Sequence, residues 1–206
     1  MELLKKIPVR EVKRTFVIGN DIRIHNGRRF MGTVSREEFL KKLRQSKQRG
    51  LRMTDKQLNH LITPEWPKRL NSYEGSDWYL ADISPSEAGV WTRAGGLPLA
   101  WTNGSLKETA DNVRRAIAIN SKSLSSRARR AILNMLATNV GLLQSEKYLL
   151  PILFKGNTGT RGRWRLKRVM KVDIDDGCMR SIALAVSGKK TIRAYIGFPK
   201  KTAKRS

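Results

Sequence analysis

Cysteine and histidine are nearly absent from this chain: Cys178 is the only cysteine, and His25 and His60 are the only histidines among 206 residues. One cysteine forms no internal disulfide and no thiolate metal cluster. The two histidines are far apart in sequence, so we expect no zinc site. Scarce cysteine is typical of a reducing compartment. We therefore expect a cytoplasmic protein, with association with the nucleoid left open.

Long apolar runs are also lacking. No stretch approaches the roughly 18 apolar residues that a membrane helix needs, and residues 1–6 lack the apolar core of a signal peptide. We therefore expect no membrane partner, and an anionic membrane surface stays only a lower-ranked candidate for the positive charge. A hydrophobic fraction of 39% still supplies a core. The length predicts one domain of ordinary size, with or without a smaller attachment.

Acidic residues are few: 17 Asp and Glu stand against 42 Lys and Arg, for a formal net charge of +25. Such a surface repels itself unless a polyanion neutralises it. Nucleic acid is the first candidate, with DNA preferred over RNA, followed by an anionic membrane and an acidic protein. A homo-oligomer stays open.

The positive charge lies at the two ends of the chain, whereas residues 53–110 have slightly more acidic than basic side chains. This distribution predicts four sections. They are a basic β-hairpin and helix over residues 1–52, a Trp-rich and loop-rich connection over 53–110, an α/β lobe over 111–198 and a basic tail over 199–206.

Local patterns predict an α+β fold. Asn26-Gly27 is typical of a hairpin turn and predicts short strands within residues 15–34. Capping boxes that begin at Ser35, Thr54 and Ser105 predict three helix starts, and Gly50 is the predicted end of the first of these helices. Apolar patterns predict further helices over 126–137 and 182–186, and strands over 149–154, 163–174 and 191–197.

An acidic strand end is followed by a glycine turn at Asp175-Asp176-Gly177-Cys178-Met179-Arg180. Glycine allows a sharp backbone turn. The free N–H groups of a helix start, together with an arginine in its first turn, suit a phosphate. A structural strand-to-helix turn with a solvated arginine would have the same spacing, so both interpretations stay open.

The order of these elements resembles the ParB/sulfiredoxin-like fold over residues 126–197. In ParB-type domains a helix leads through a Gly-Leu-x-x-Pro-Ile turn into a strand, and a later strand ends in Asp-Gly-x-x-Arg. The matching positions are Gly141, Leu142, Pro151, Ile152, Asp176, Gly177, Arg180, Ala183 and Ile192. The segment between Gln144 and Pro151 is longer than in the ParB pattern.

The resemblance implies a small mixed α/β lobe in which the turn of Gly177 and Arg180 contacts phosphate. ParB-like domains include DNA-partition proteins that bind CTP, proteins described as nucleases, and a kinase. Sulfiredoxins use a cysteine at the position of Cys178 in an ATP-dependent reaction, but Met179 stands here where they have histidine. A nuclease or a nucleotide-dependent phosphotransferase is therefore the alternative function.

The candidate catalytic residues are Asp175, Asp176, Arg180 and Cys178. Together with Asp173, the two aspartates could hold a divalent cation, but the favoured explanation is helix-dipole stabilisation and salt bridges to nearby lysines and arginines. The sequence fixes no cofactor. A nucleotide or Mg²⁺ stays open.

Clusters of basic residues provide the candidate nucleic-acid contacts. On a strand, alternate residues of the segment 161–167 would form one cationic ridge, and other clusters lie on the predicted helices and hairpin. The candidates are Arg161, Arg163, Arg165, Lys167, Arg127, Arg129, Arg130, Arg23, Arg28, Arg29, Lys41 and Lys42. The leading interpretation is a nucleic-acid-binding protein that neutralises phosphates. A structural RNA- or virion-associated basic protein is the third class.

Overall fold

The computed structural model of the chain describes residues 1–26, 35–63, 67–137, 140–156, 158 and 170–200. In this part of the chain the fold is α+β, as predicted. Its elements are β1 (Glu2–Ile7), α1 (Val9–Asn26), α2 (Arg36–Arg52), α3 (Asp55–Ile62), α4 (Pro67–Glu74), β2 (Ser76–Ile83), β3 (Ala88–Gly89), α5 (Leu106–Ala118), α6 (Ser126–Ala137), α7 (Val140–Ser145), β4 (Ile152–Lys155), β5 (Val172–Asp176), α8 (Cys178–Val186) and β6 (Ile192–Pro199).

One mixed sheet organises these elements, with the strand order β1-β2-β6-β4-β5-β3. Strand β6 lies in the interior, antiparallel to β2 and parallel to β4. The sheet takes β1 from the basic N-terminal section and β2 from the middle section, and pairs them with the strands of the C-terminal section.

Side chains alternate between the two faces of the sheet. On one face, here called the α1 face, Trp78, Phe154 and Tyr195 pack with apolar residues of α1, α3 and α4. On the other, the α5 face, Ile83, Leu153, Ile192, Ala194 and Ile196 pack with apolar residues of α5, α6 and α8. The protein thus has two helical layers with the sheet between them.

The predicted strands within residues 15–34 are wrong for residues 15–26, which belong to helix α1. Val12 and Phe16, and likewise Ile18 and Ile22, are buried pairs spaced four residues apart. That spacing places each pair on one side of a helix. Asn26 is the last residue of α1, and Gly27 and residues 28–34 lie outside the described part of the chain.

The predicted helix starts are confirmed. Thr54 and Ser105 form reciprocal capping boxes with Gln57 and Glu108, and the Ser35 hydroxyl accepts the N–H of Glu38. The predicted end at Gly50 is wrong, because α2 continues to Arg52. Gly50 is buried inside the helix, where α2 contacts α1.

The predicted C-terminal helices are confirmed, and the predicted strands are confirmed in part, because β4 begins only at Ile152 and β5 only at Val172. Helix α6 spans the predicted range, α8 includes 182–186, and β4, β5 and β6 cover parts of the three predicted strands. The segments 163–169 and 201–206 lie outside the described residues. Strands β1 and β2 were not predicted. No helix in the described ranges is long and apolar enough to cross a membrane.

Candidate nucleic-acid interface and the Gly177 turn

Gly177 is the N-cap of α8 and has a left-handed backbone, with φ of 82°. A Cβ atom at this position would lie 2.9 Å from Nη2 of Arg180 and 3.1 Å from Cα of Pro151. Glycine is therefore required both by its backbone angle and by the close approach of its neighbours. No side chain caps the start of α8.

Arg180 folds back over this turn. Its Nη2 donates to Oδ2 of Asp176 at 2.8 Å, and the two side chains are 12% and 11% exposed. Its guanidinium also lies against α1, where a Cβ on Gly19 would come within 2.8 Å of Nη1. Helix α1 thus packs against the arginine of this turn, although its residues were predicted to belong to a separate section.

Asp175 is buried on the α1 face and is held by two side chains of α4. Its Oδ2 accepts from Nε of Arg69 at 2.9 Å and from the hydroxyl of Tyr73 at 3.0 Å. The guanidinium of Arg69 also lies 4.5 Å from the ring centre of Phe16, a cation–π contact. Arg69 and Tyr73 lie more than 100 residues before Asp175, so no local sequence pattern connects them with it.

Burial and charge both act on this cluster. Burial lowers the pKa of the Arg69 guanidinium, but Asp175, Tyr73 and Asp176 together outweigh burial, so that the pKa of Arg69 is raised. Burial, reinforced by the negative charge of Asp175, raises the pKa of the Tyr73 hydroxyl well above its usual range. Arg69 therefore stays charged and Tyr73 stays a neutral donor.

The candidate catalytic carboxylates consequently have different partners. Asp175 interacts with Arg69 and Tyr73 inside the protein, whereas Asp176 interacts with Arg180 at the turn. Over the described ranges, no three His, Cys, Asp or Glu side chains are grouped so that they could hold a metal ion. As it stands, this arrangement is that of structural ion pairs.

Cys178 is partly buried beside the segment that follows β3. Its Sγ accepts the backbone N–H of Trp91 at 3.5 Å, and Nε1 of Trp91 donates to the carbonyl of Ile174 at 2.7 Å. These two hydrogen bonds connect Trp91 with the start of α8 and with β5.

The acidic side chains are largely engaged within the protein. Most of the 17 acids form an ion pair with a lysine, an arginine or the N-terminal amine. These acids are Glu11, Asp21, Glu38, Asp55, Glu74, Asp77, Asp82, Glu87, Asp111, Glu146, Asp175 and Asp176. Because the lysines and arginines outnumber the acids, this pairing leaves the surface positively charged.

The three arginines of α6 have two different environments. Arg129 is partly buried, and its Nη2 donates to the carbonyls of Ser121 at 3.1 Å and Ala116 at 3.5 Å. It thereby caps the end of α5. Arg127 and Arg130 are exposed, so they are accessible to an external anion.

These exposed arginines belong to a larger surface on the layer of α5, α6 and α8. Arg114 donates to the carbonyls of Ala185 and Val186 and so joins α5 to the end of α8. The exposed cations of this layer that form none of the ion pairs described above define the basic helical face: Arg115, Lys122, Arg127, Arg130, Lys189 and Lys190.

The remaining candidate contacts are dispersed. Lys41 is exposed on α2, while Lys42 forms an ion pair with Glu38 at 2.6 Å. Arg23 lies on α1, but its side chain is outside the described part. Arg28, Arg29, Arg161, Arg163, Arg165 and Lys167 also lie outside the described residues.

Comparison of the chain with protein-family models, with curated proteins and with solved structures gives no match.

Proposed function

We propose that this protein binds nucleic acid by neutralising backbone phosphates, mainly through the basic helical face. The observation that carries the proposal is the exposure of the six cations of this face on one helical layer, while most acids are paired with basic groups of the same chain. The repulsion between these like charges is relieved when phosphates lie between them. Binding is favoured further because the nucleic acid releases its counterions.

The ParB-like resemblance supplies the finer part of the proposal. It favours DNA over RNA and assigns a phosphate to the turn of Gly177 and Arg180. The left-handed glycine, the uncapped start of α8 and the adjacent arginine support this assignment. The ion pair between Arg180 and Asp176 argues against this assignment, because a phosphate at Arg180 would have to compete with that carboxylate.

The test measures the affinity for duplex DNA and duplex RNA at several salt concentrations. The variant replaces Arg127, Arg130, Lys189 and Lys190 with glutamine. For the wild type, log K is expected to fall linearly with log salt, with a slope of about −0.9 per phosphate contact, and the variant is expected to have a shallower slope. Tighter binding of DNA than of RNA would support the preference.

A matched control removes exposed charges from the other helical layer. Lys56 on α3 and Lys68 on α4 are exposed. The control pair Lys56→Gln and Lys68→Gln is compared with Arg127→Gln and Arg130→Gln, because each pair removes the same charge. If both pairs weaken binding equally, net charge rather than the basic helical face is responsible. If the wild type binds neither nucleic acid, the proposal is wrong.

A further inference from the structure

Two aromatic rings lie side by side on adjacent strands at one end of the α5 face. Tyr79 on β2 and Phe198 on β6 have ring centres 5.7 Å apart, in an edge-to-face arrangement with planes at 83°. Both side chains are partly exposed. The next positions on this face are buried in the hydrophobic core: Ile196, directly opposite Tyr79, and then Ala81 and Ala194. The rings therefore stand at the border of the covered part of the sheet.

The strand register places a lysine on each side of this pair. On β1, Lys6 is directly opposite Tyr79. On β4, Leu153 lies on the α5 face, so Lys155, two residues later, shares that face. Phe154 pairs with Gly197, which puts Lys155 beside Phe198. Both lysines are exposed.

A strip therefore crosses four neighbouring strands in the order Lys6, Tyr79, Phe198 and Lys155, here called the aromatic strip. The strip is diagonal, because Tyr79 pairs with Ile196 and Phe198 pairs with Asp77. Neighbouring strands are about 4.8 Å apart, so β1 and β4 are separated by about 14 Å. Asp77, directly opposite Phe198, forms an ion pair with Lys6, with Nζ to Oδ1 at 2.9 Å.

We infer that the aromatic strip binds unpaired bases of a single-stranded nucleic acid. Aromatic side chains on an open sheet face stack on bases, whose faces are accessible only outside a duplex. Lys155 would meet a phosphate that flanks a stacked base, whereas Lys6 is paired with Asp77 and offsets the charge of that acid. This inference rests on the proposed function and adds to it a class of ligand, the single strand, and a second surface on the molecule.

The experiment compares the affinity for a fluorescent oligothymidylate with that for a DNA duplex having the same number of phosphates. Tyr79→Leu and Phe198→Leu keep apolar volume but remove the aromatic face. Each is expected to weaken single-strand binding about fivefold to a hundredfold and to leave duplex binding nearly unchanged. Tyr79→Phe is the matched control, and it should bind the single strand nearly as tightly as the wild type.

Several outcomes would overturn the inference. If the leucine variants bind the single strand and the duplex as tightly as the wild type does, the strip is not a stacking site. It is also not a stacking site if the affinities for the two ligands fall by the same factor. The inference is also wrong if Tyr79→Phe weakens single-strand binding as much as Tyr79→Leu does. If sedimentation shows that the leucine variants change the oligomeric state, the strip is a contact between copies of the chain.

A photochemical readout locates the base directly. The oligonucleotide carries 5-iododeoxyuridine, which cross-links to an aromatic ring in contact with it, and mass spectrometry identifies the modified residue. Cross-links at Tyr79 or Phe198 are expected, and cross-links only elsewhere would contradict the inference. A wild type that binds duplex but not single strands refutes the strip and leaves the proposed function intact, whereas a wild type that binds neither refutes the proposed function itself.

Discussion

Arg69 and Asp175 form an ion pair whose side chains are both 2% exposed, and this pair ties helix α4 to strand β5. The hydroxyl of Tyr73 shares the same carboxylate oxygen, and Phe16 covers the guanidinium. A buried ion pair of this kind is a weak source of net stability, but removing one partner leaves a buried charge uncompensated.

We therefore expect Asp175→Asn to destabilise the fold by about 3–5 kcal/mol. The matched control is Asp82→Asn, which disrupts the partly exposed, two-bond pair with Arg193 and should cost at most about 1 kcal/mol. Urea unfolding gives both values. If both variants lose the same free energy of unfolding, burial of Arg69 does not increase the cost of removing its partner.

Gly50→Ala is expected to destabilise the protein, although the same change in an exposed helix stabilises it by roughly 1 kcal/mol. The reason is the contact between α2 and α1, where a Cβ on Gly50 would lie 2.5 Å from Cγ1 of Ile18. Overpacking of this kind costs about 1–3 kcal/mol.

A double-mutant cycle tests this contact. Ile18→Ala is itself destabilising, but it removes the atoms that the new methyl group would meet. Gly50→Ala should therefore cost less free energy of unfolding in the Ile18→Ala background than in the wild type. Additive effects of the two substitutions would contradict the close approach of the helices.

Whether the Gly177 turn binds phosphate can be tested by removing the charge of Asp176, which forms an ion pair with Arg180. If the turn holds a phosphate, Asp176→Asn frees the Arg180 guanidinium and should strengthen the binding of pyrophosphate or a nucleotide about tenfold. Arg180→Ala should weaken it about tenfold to a hundredfold, since a charge-assisted hydrogen bond contributes about 1.5–3 kcal/mol. Isothermal titration measures both affinities.

Cys178→Ser serves as the control in that series, because a phosphate at this turn needs backbone N–H groups and no thiol. A sulfiredoxin-like reaction would instead lose all activity with this substitution. If Asp176→Asn and Arg180→Ala both leave anion binding unchanged, the turn has only a structural role.

Glu87 gives the fold a pH dependence. Burial raises its pKa, but hydrogen bonds from Lys171, the N-terminal amine and the Ser84 backbone outweigh burial and lower it from 4.5 to about 2. Because the folded-state pKa is the lower one, the stability from Glu87 is fully present above pH 4.5. It is lost as the pH falls toward 2.

We expect Glu87→Gln to be less stable than the wild type above pH 4.5 and the difference to shrink steadily as the pH falls toward 2. Thermal unfolding of both proteins along this pH range measures the difference. A constant difference would mean that the carboxylate contributes through its shape rather than through its charge.

The elements that were predicted correctly depend on neighbours close in sequence. The capping boxes of Thr54 and Ser105 join residues three positions apart, so the sequence is sufficient to locate them. The Asn26-Gly27 pattern is local too, but burial of Phe16 and Ile22 against the rest of the protein favours a helix through Asn26. Tertiary packing therefore decides the structure of residues 15–26, where strands were predicted.

The candidate sites were harder to predict because their partners are distant in the chain. Asp175 was recognised as a candidate, but its ion pair with Arg69 depends on α4 packing beside β5. Likewise, Arg127 and Arg129 are indistinguishable in sequence, whereas only Arg129 caps the end of α5. The aromatic strip depends on strand register, which no local pattern specifies.

The interior position of β6 has a consequence for synthesis of the protein. Among the described strands β6 comes last in the chain, yet it separates the β1-β2 pair from β4 and β5. Until residues 192–199 leave the ribosome, those two parts have no shared strand, and the inner edges of β2 and β4 lack the partner that they have in the folded protein. The sheet is therefore completed only when this last strand is available. A nascent chain stalled before it would carry open strand edges and require protection from aggregation.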